Sequence, residues 1–282
     1  MIRLIHHVDL YFKGEYDWAF SMTQQESLKN PQEAAASRPA ADGRVMSFWS
    51  HLDELRDRLM RSLWVFFGGF FGCYFLAEKI LEILRKPLFD ALPPEKRQLY
   101  FTSLFENFMV HLKIAGVASI FFLSPYFFSQ VWGFVAPGLT PKEKKFAVPF
   151  IISATLCFLG GAAFAYFVLF PVGFKYFVTY GGPNDVPMLT IDAYYTTCLK
   201  LMLLFGLAFE LPVLIVLLGW IGLVDGAFLR AQRRTAIIGI TILAALFAPP
   251  DAISMLLLGV PLVLFYEIAI HVVDIIGRDK SR

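Results

Sequence analysis

Two short stretches of the sequence place carboxylates beside cationic side chains at the edges of apolar segments. HLDELRDRL, residues 51–59, holds Glu54 and Arg56, and GLTPKEKKF, residues 138–146, holds Glu143. Each carboxylate taken alone fits a solvated surface residue. Together they lie at the ends of neighbouring apolar segments. Such a pair of carboxylates suits the binding of two guanidiniums through charge-assisted hydrogen bonds.

A third carboxylate, Glu210, lies inside the apolar run LLFGLAFELPVLIVLLGW. A charged side chain at the centre of a membrane helix costs roughly 2.5–3.5 kcal/mol on insertion scales. Pro212 removes the hydrogen bond to the carbonyl of Ala208, so we expect a kink beside the carboxyl group. Two interpretations remain open: a protonated Glu210 with one interhelical hydrogen bond, or a binding or relay site that faces a cavity.

The known catalytic patterns are missing from the sequence. It contains no HExxH motif, no serine flanked by glycines and no glycine-rich phosphate loop. His51 lies near Glu54 at the wrong spacing for a zinc site. We therefore expect no enzymatic activity, no metal, no cofactor and no nucleic-acid partner.

The elements that must position these side chains are apolar helices. Of the 282 residues, 57% are hydrophobic and 17% are charged, whereas about 25% is usual for the charged residues of a soluble domain. A soluble all-α bundle would leave most helices without a polar face. We predict an all-α membrane protein with six transmembrane helices, at 59–77, 111–135, 147–170, 198–221, 235–248 and 253–271.

The elements around the spans are also predictable. Ser47 suits the N-cap of a helix that begins at Phe48, lies along the membrane surface and continues into the first span. The long first loop, 78–107, contains the amphipathic stretch EKILEILRKPLF and is expected to form an outer lid together with the third loop, 171–197. The fifth and sixth spans are short, and the fifth reaches only about 21 Å.

The distribution of positive charge predicts the orientation. Of the 25 Lys and Arg residues, 17 lie in the N-terminal segment, the second and fourth loops and the C-terminal tail, and 8 lie on the other side. The positive-inside rule therefore places both termini in the cytoplasm, in a multi-pass protein of the cytoplasmic (inner) membrane.

The chain divides into two parts of different composition. Residues 1–45 form a polar extension that we expect to be disordered. The membrane domain covers 46–282. An alternative is that translation begins at Met22 or Met46.

Five ordered motifs resemble one known family. HLDELRDRL, QVWGFVAPGLTPKEKK, GAAFAYFVLFP, FGLAFELPV and TILAALFAPPDAIS are similar to the twin-arginine translocase C subunit family, over residues 46 to about 275. The resemblance implies a concave six-helix bundle that recognises signal peptides bearing paired arginines on folded cargo. It also implies transport driven by the protonmotive force.

The resemblance further implies roles for individual residues. The signal-peptide site would comprise Glu54, Arg56, Phe134 and Glu143. Glu210 matches the family's membrane-embedded acid, and Pro87 and Asp251 match positions of the outer face. Met255 departs from the family pattern, because relatives often carry a glutamine there that is expected to contact a partner helix.

The partners implied are single-span subunits of the Tat A and B types, twin-arginine signal peptides, further copies of this chain and the lipid bilayer. Two other classes compete with this interpretation. A proton-coupled transporter would use Glu210 as its relay, but the spans show no clear internal repeat. An intramembrane protease would need a catalytic pair, which the sequence lacks.

Overall fold

The computed structural model describes residues 48–136, 147–180, 188–247 and 252–280. The extension 1–45 and the predicted turn 248–251 lie outside the described residues. The described ranges are helical, apart from turns, connecting segments and one isolated β-bridge between Tyr100 and Thr190.

Eleven α-helices account for most of these ranges. In chain order they are α1 (Phe48–Tyr74), α2 (Ala77–Ala91), α3 (Glu106–Phe122), α4 (Ser124–Val135), α5 (Ala147–Phe164), α6 (Phe170–Tyr180), α7 (Ile191–Ala208), α8 (Leu211–Trp220), α9 (Gly226–Ala231), α10 (Arg233–Phe247) and α11 (Ala252–Lys280). A π-helical segment, Ala165–Leu169, joins α5 to α6, and a short 3-10 helix, Pro94–Lys96, follows α2.

The helices match the six predicted spans. Among the described residues, three continuous stretches are long and apolar enough to cross a membrane: Ala147–Thr179, Ile191–Trp220 and Ala252–Gly277. Two bent pairs, α1 with α2 and α3 with α4, raise the number to five. The one predicted span not among these five is the fifth, which corresponds to the 15-residue helix α10. The six-helix prediction is therefore consistent with the structure, and the fifth span is short as expected.

The prediction of a short sixth helix is wrong. The helix α11 has 29 residues and continues nine positions beyond the predicted end at His271. The prediction ended the span where charged residues begin to interrupt the apolar run. The stretch from Val272 to Lys280 contains no proline, so the helix continues although the apolar run has stopped.

Two sharp bends shape the first half of the chain. Between α1 and α2 the chain turns by 73°, and α2 then buries Leu81, Leu84 and Leu88 on its apolar face. This confirms the amphipathic helix predicted in the first loop. Between α3 and α4 the chain turns by 57° inside the predicted span 111–135.

The core forms where helices approach closely. The helices α5 and α7 cross at two glycines: a Cβ atom on Gly161 would lie 2.7 Å from the carbonyl carbon of Phe205, and one on Gly206 would lie 2.8 Å from the Phe158 ring. Small residues allow such crossings because membrane helices associate through close packing. The crossing places α8, and with it Glu210, next to α5.

Polar contacts lie at both ends of the bundle. At the end that holds Glu54, α1 meets α4, and the pairs Arg230–Asp274 and Arg233–Glu267 connect α9 and α10 to α11. At the opposite end, the β-bridge joins the first and third loops. We call these the Glu54 end and the outer-loop end.

Candidate functional site

The carboxylate of Glu54 lies half-buried near the start of α1 and already binds a guanidinium. The Nε and Nη2 atoms of Arg58 donate hydrogen bonds to its Oε1 atom at 3.0 and 2.7 Å. The two residues are one helical turn apart, a spacing that brings side chains together on one face of a helix. The Oε1 atom of Glu54 therefore accepts two N–H donors of one planar cation.

The same guanidinium connects α1 to α4. Its Nη1 atom lies 3.4 Å from the Oε1 atom of Gln130, and the guanidinium packs against Gly133. Phe134, the aromatic residue predicted for the site, follows Gly133 and is half-buried. The structure therefore brings Glu54 to the segment of α4 that carries Phe134.

Of the other two residues predicted for this site, the structure describes only one. The side chain of Arg56 is exposed on α1. Glu143 lies outside the described residues, in the segment 137–146. The helices that flank this segment pack together, since the rings of Trp132 on α4 and Phe150 on α5 have centroids 4.9 Å apart.

Glu210 lies at a break between two helices in the membrane-spanning part of the chain. The helix α7 ends at Ala208 and α8 begins at Leu211, with Pro212 in its first turn, which confirms the predicted interruption. The side chain is only 7% exposed, and its Oε1 atom has no hydrogen-bonding partner among the described residues. A buried carboxyl oxygen without a donor is costly, so the position suits a group that receives a partner.

Pro87 lies inside α2, and tyrosines compensate for the bonds it disturbs. A proline at this position cannot bond the carbonyl of Ile83, four residues earlier. The hydroxyl of Tyr166 donates to that carbonyl at 2.9 Å, and the hydroxyl of Tyr194 donates to the neighbouring carbonyl of Leu84 at 2.6 Å. The proline therefore anchors α2 to the third and fourth spans.

The most densely bonded carboxylate was missed by the sequence analysis. Glu106, at the start of α3, accepts hydrogen bonds from the backbone N–H groups of Thr102, Ser103 and Asp192, at 2.6, 3.3 and 2.8 Å, and from the Thr102 hydroxyl. It thereby caps the first turn of α7 and ties the turn that precedes α3 to it. The signal that would have found it is the spacing Ser103-x-x-Glu106, which is typical of a capping box.

The remaining predicted positions are less informative. Asp251 lies outside the described residues. Met255, which replaces the expected polar residue, is half-buried and packs against the main apolar core. Within the ranges that the structure describes, no group of three or more His, Cys, Asp or Glu side chains is placed to hold a metal ion.

Comparison with known proteins gives one consistent result. Residues 50–261 match the sequence model of the family described as Sec-independent protein translocase protein (TatC). The curated TatC protein of Desulforapulum autotrophicum is 36% identical to this chain, over 83% of this chain and 86% of its own length. That of Azotobacter chroococcum mcd 1 is 39% identical, over 83% of this chain and 91% of its own length. A crystal structure of a twin arginine translocase receptor, TatC, superposes with a TM-score of 0.70 at 32% identity, covering 80% of this chain and 99% of that one.

Proposed function

This chain belongs to the TatC family of Sec-independent protein translocases, and from that premise we propose that it is the signal-peptide receptor of a twin-arginine translocase. It is a membrane protein with a transport role, not a classical enzyme. As the core subunit it binds the paired arginines of a signal peptide, and folded cargo then crosses the membrane using the protonmotive force.

The observation that supports a receptor role best is the guanidinium seated on Glu54. A signal peptide's arginines need anionic, two-acceptor partners beside the membrane, because the apolar part of the peptide follows them directly. Glu54 supplies a carboxylate of this kind at the point where α1 enters its apolar stretch. Its geometry accepts a guanidinium, since Arg58 occupies it with two N–H donors.

Three further residues complete the proposed site. Glu143 binds the second arginine from the segment between α4 and α5. Phe134 packs against the peptide from α4, and Arg56 contributes to the same patch from the exposed face of α1. The contact between Arg58 and Gln130 supports this arrangement, because it holds α1 beside α4.

The proposed orientation follows the distribution of charge. The Glu54 end faces the cytoplasm and the outer-loop end faces away from it, in the cytoplasmic (inner) membrane of the cell. Both termini are then cytoplasmic. The outer-face positions Pro87 and Asp251 act on the side where cargo emerges.

The proposed partners within the membrane are the single-span A- and B-type subunits and further copies of this chain. Glu210 receives a polar side chain of a partner helix, because its Oε1 atom is buried without a donor among the described residues. Hydrogen bonds of this kind contribute about 1–2 kcal/mol between membrane helices in model peptides.

The receptor role is tested by peptide binding to the full chain in lipid nanodiscs. A fluorescent peptide with paired arginines should bind about thirtyfold more weakly when Glu54 and Glu143 are both replaced by Gln, because each arginine loses a charged acceptor. A twin-lysine peptide serves as the ligand control. Unchanged affinity in the double variant would show that Glu54 and Glu143 do not form the peptide-binding site.

A matched variant controls for the charge of the α1 surface. Asp53→Asn changes the same charge one residue away, on a side chain that is exposed. It should leave affinity within about twofold of the original, as expected for an exposed charge.

A further inference from the structure

The guanidinium of Arg58 uses all three nitrogens at the proposed receptor site. Nε and Nη2 donate to Oε1 of Glu54, at 3.0 and 2.7 Å, and Nη1 approaches Gln130 on α4 at 3.4 Å. One oxygen of the carboxylate therefore already receives two N–H groups. A second guanidinium that forms the parallel two-bond pair with Glu54 needs this same oxygen.

The position of the Arg58 guanidinium depends on a glycine, because only a residue without a side chain leaves room for it. A Cβ atom on Gly133 would overlap Nη1 of Arg58 and would lie 2.6 Å from its Cζ atom. Gly133 is buried on α4, so the space beside its Cα atom is the space that the Arg58 side chain fills. Any larger residue there expels the end of that side chain without changing its charge.

We propose that Arg58 is an internal placeholder, which occupies Glu54 in the empty receptor and leaves when a signal-peptide arginine binds. This inference rests on the proposed receptor function. Two guanidiniums crowded on one carboxylate repel each other, so the peptide's arginine replaces Arg58 instead of joining it. The placeholder keeps a guanidinium on the half-buried carboxylate while the receptor is empty, which offsets part of the cost of burying its charge.

The exchange is feasible because the pair is accessible. The side chains of Arg58 and Glu54 are 27% and 22% exposed, and the pair spans one helical turn. Ion pairs of this type are weak and are screened by salt. The released Arg58 has a long side chain that reaches water from its position at the membrane edge.

The placeholder sets a threshold for binding. Every cationic ligand has to compete with Arg58 for Oε1, so twin-arginine and twin-lysine peptides are weakened by the same factor. A peptide that also binds a second carboxylate gains enough affinity to displace Arg58 from Glu54, whereas a ligand with a single cation does not.

The test measures the affinity of a twin-arginine peptide for the full chain in nanodiscs. Arg58→Gln removes the placeholder, and Gly133→Ala displaces it while the charge stays. Both variants should tighten binding by about two- to fivefold, the range that a partly exposed ion pair supports. The twin-lysine peptide should tighten by the same factor.

Two control variants isolate the effect. Arg61→Gln removes an exposed positive charge one turn further along α1, and Gly68→Ala adds a methyl group where the structure has open space. Neither should tighten binding by more than the error of the measurement. In a Glu54→Gln background, the effect of Arg58→Gln should vanish, because the negative charge for which the two cations compete is gone.

The outcomes separate this inference from the proposed function. If Glu54→Gln weakens binding while Arg58→Gln weakens it or leaves it unchanged, Arg58 is no placeholder and the receptor role stands. If Arg61→Gln tightens binding as much as Arg58→Gln, or if Gly133→Ala does not tighten it, the placeholder is also overturned. If Glu54→Gln itself has no effect on peptide binding, the receptor site fails and this inference fails with it.

Discussion

Three acidic side chains in this chain differ in the donors that face them. Glu54 receives the guanidinium of Arg58, and Glu106 receives three backbone N–H groups and a hydroxyl. The Oε1 atom of Glu210 receives no donor from the described residues. The first arrangement suits exchange of one cation for another, the second suits a permanent structural contact, and the third suits a ligand supplied by another chain.

Glu210 should be needed for assembly and not for peptide binding. Glu210→Ala removes the hydrogen-bonding group, so co-purification with A- and B-type subunits should fall about five- to tenfold, as expected for the loss of one hydrogen bond between membrane helices. Glu210→Gln keeps a polar side chain and should retain most of the assembly. The measurement is subunit recovery from solubilised membranes, with twin-arginine peptide affinity as the control. Full assembly in the Ala variant would exclude this role.

The contact between Tyr166 and the carbonyl of Ile83 should depend on Pro87. Tyr166→Phe leaves that carbonyl without a donor and should lower the free energy of unfolding by about 1–2 kcal/mol. In a Pro87→Ala background the residue at 87 has its own N–H group, so the same Tyr166→Phe change should cost much less.

A double-mutant cycle measured by unfolding in detergent tests this dependence. Tyr74→Phe, the same change at an exposed tyrosine on α1, is the control. Equal costs of Tyr166→Phe in both backgrounds would show that the tyrosine does not compensate for the proline.

The sequence could identify some of these residues and not others. Glu54 and Glu210 stand out because a charge next to or inside an apolar run is unusual. The contacts around such side chains join residues that are distant in the chain: Gln130 lies 72 residues from Arg58, which pairs with Glu54, and Asp192 lies 86 residues from Glu106. Contacts of this kind depend on how helices pack, which a local pattern does not specify.

At the scale of elements, local patterns predicted helices and not their bends. The helical residues from Phe48 onwards and the amphipathic helix α2 follow from periodicity, and both are helical in the structure, whereas Ser47, the predicted cap, lies outside the described residues. The 57° turn between α3 and α4 was not predicted. Pro125 in the first turn of α4 was the available signal, since proline suits a helix start and disfavours a helix interior.

The shortness of α10 leads to a prediction about transport. Its 15 residues reach about 22 Å, against a hydrocarbon core of about 30 Å. Insertion of four Leu residues into α10 would remove this deficit. Transport of a folded cargo should then fall severalfold, while the affinity for a twin-arginine peptide should stay within about twofold, because Glu54 lies on a different helix.

Bilayer thickness provides the control for this insertion. The original chain should transport cargo best in vesicles of short-chain lipid. The transport deficit of the lengthened chain, relative to the original chain, should be smaller in long-chain lipid than in short-chain lipid. Equal transport by both chains at every thickness would show that the length of α10 is unimportant.

At the scale of the whole membrane domain, two sets of polar contacts define two ends. The ion pairs Arg230–Asp274 and Arg233–Glu267 lie at the Glu54 end, and the Lys113–Asp192 pair lies at the outer-loop end. The fourth loop and the C-terminal helix α11, whose ends the charge distribution assigned to one side, therefore meet at one end of the bundle. The sequence could predict this because the assignment needs only span positions and charge counts.

The proposed orientation is tested by labelling with a membrane-impermeant maleimide. The three native cysteines, Cys73, Cys157 and Cys198, are first replaced by Ala. The variant Lys96→Cys should label in intact spheroplasts, and Gln232→Cys should label only after the membrane is permeabilised. Both positions are exposed, so labelling of both from the same side would refute the proposed topology.

The short helix α10 also has a consequence for how copies of the protein meet in the membrane. Lipid around a helix of this length is compressed into a shallow dimple, and the stretched rim of that dimple costs a fraction of a kcal/mol for each ångström of mismatch. Two copies that drift together share one rim in place of two. We therefore expect the bilayer itself to favour contact between copies before any side chain of one touches the other.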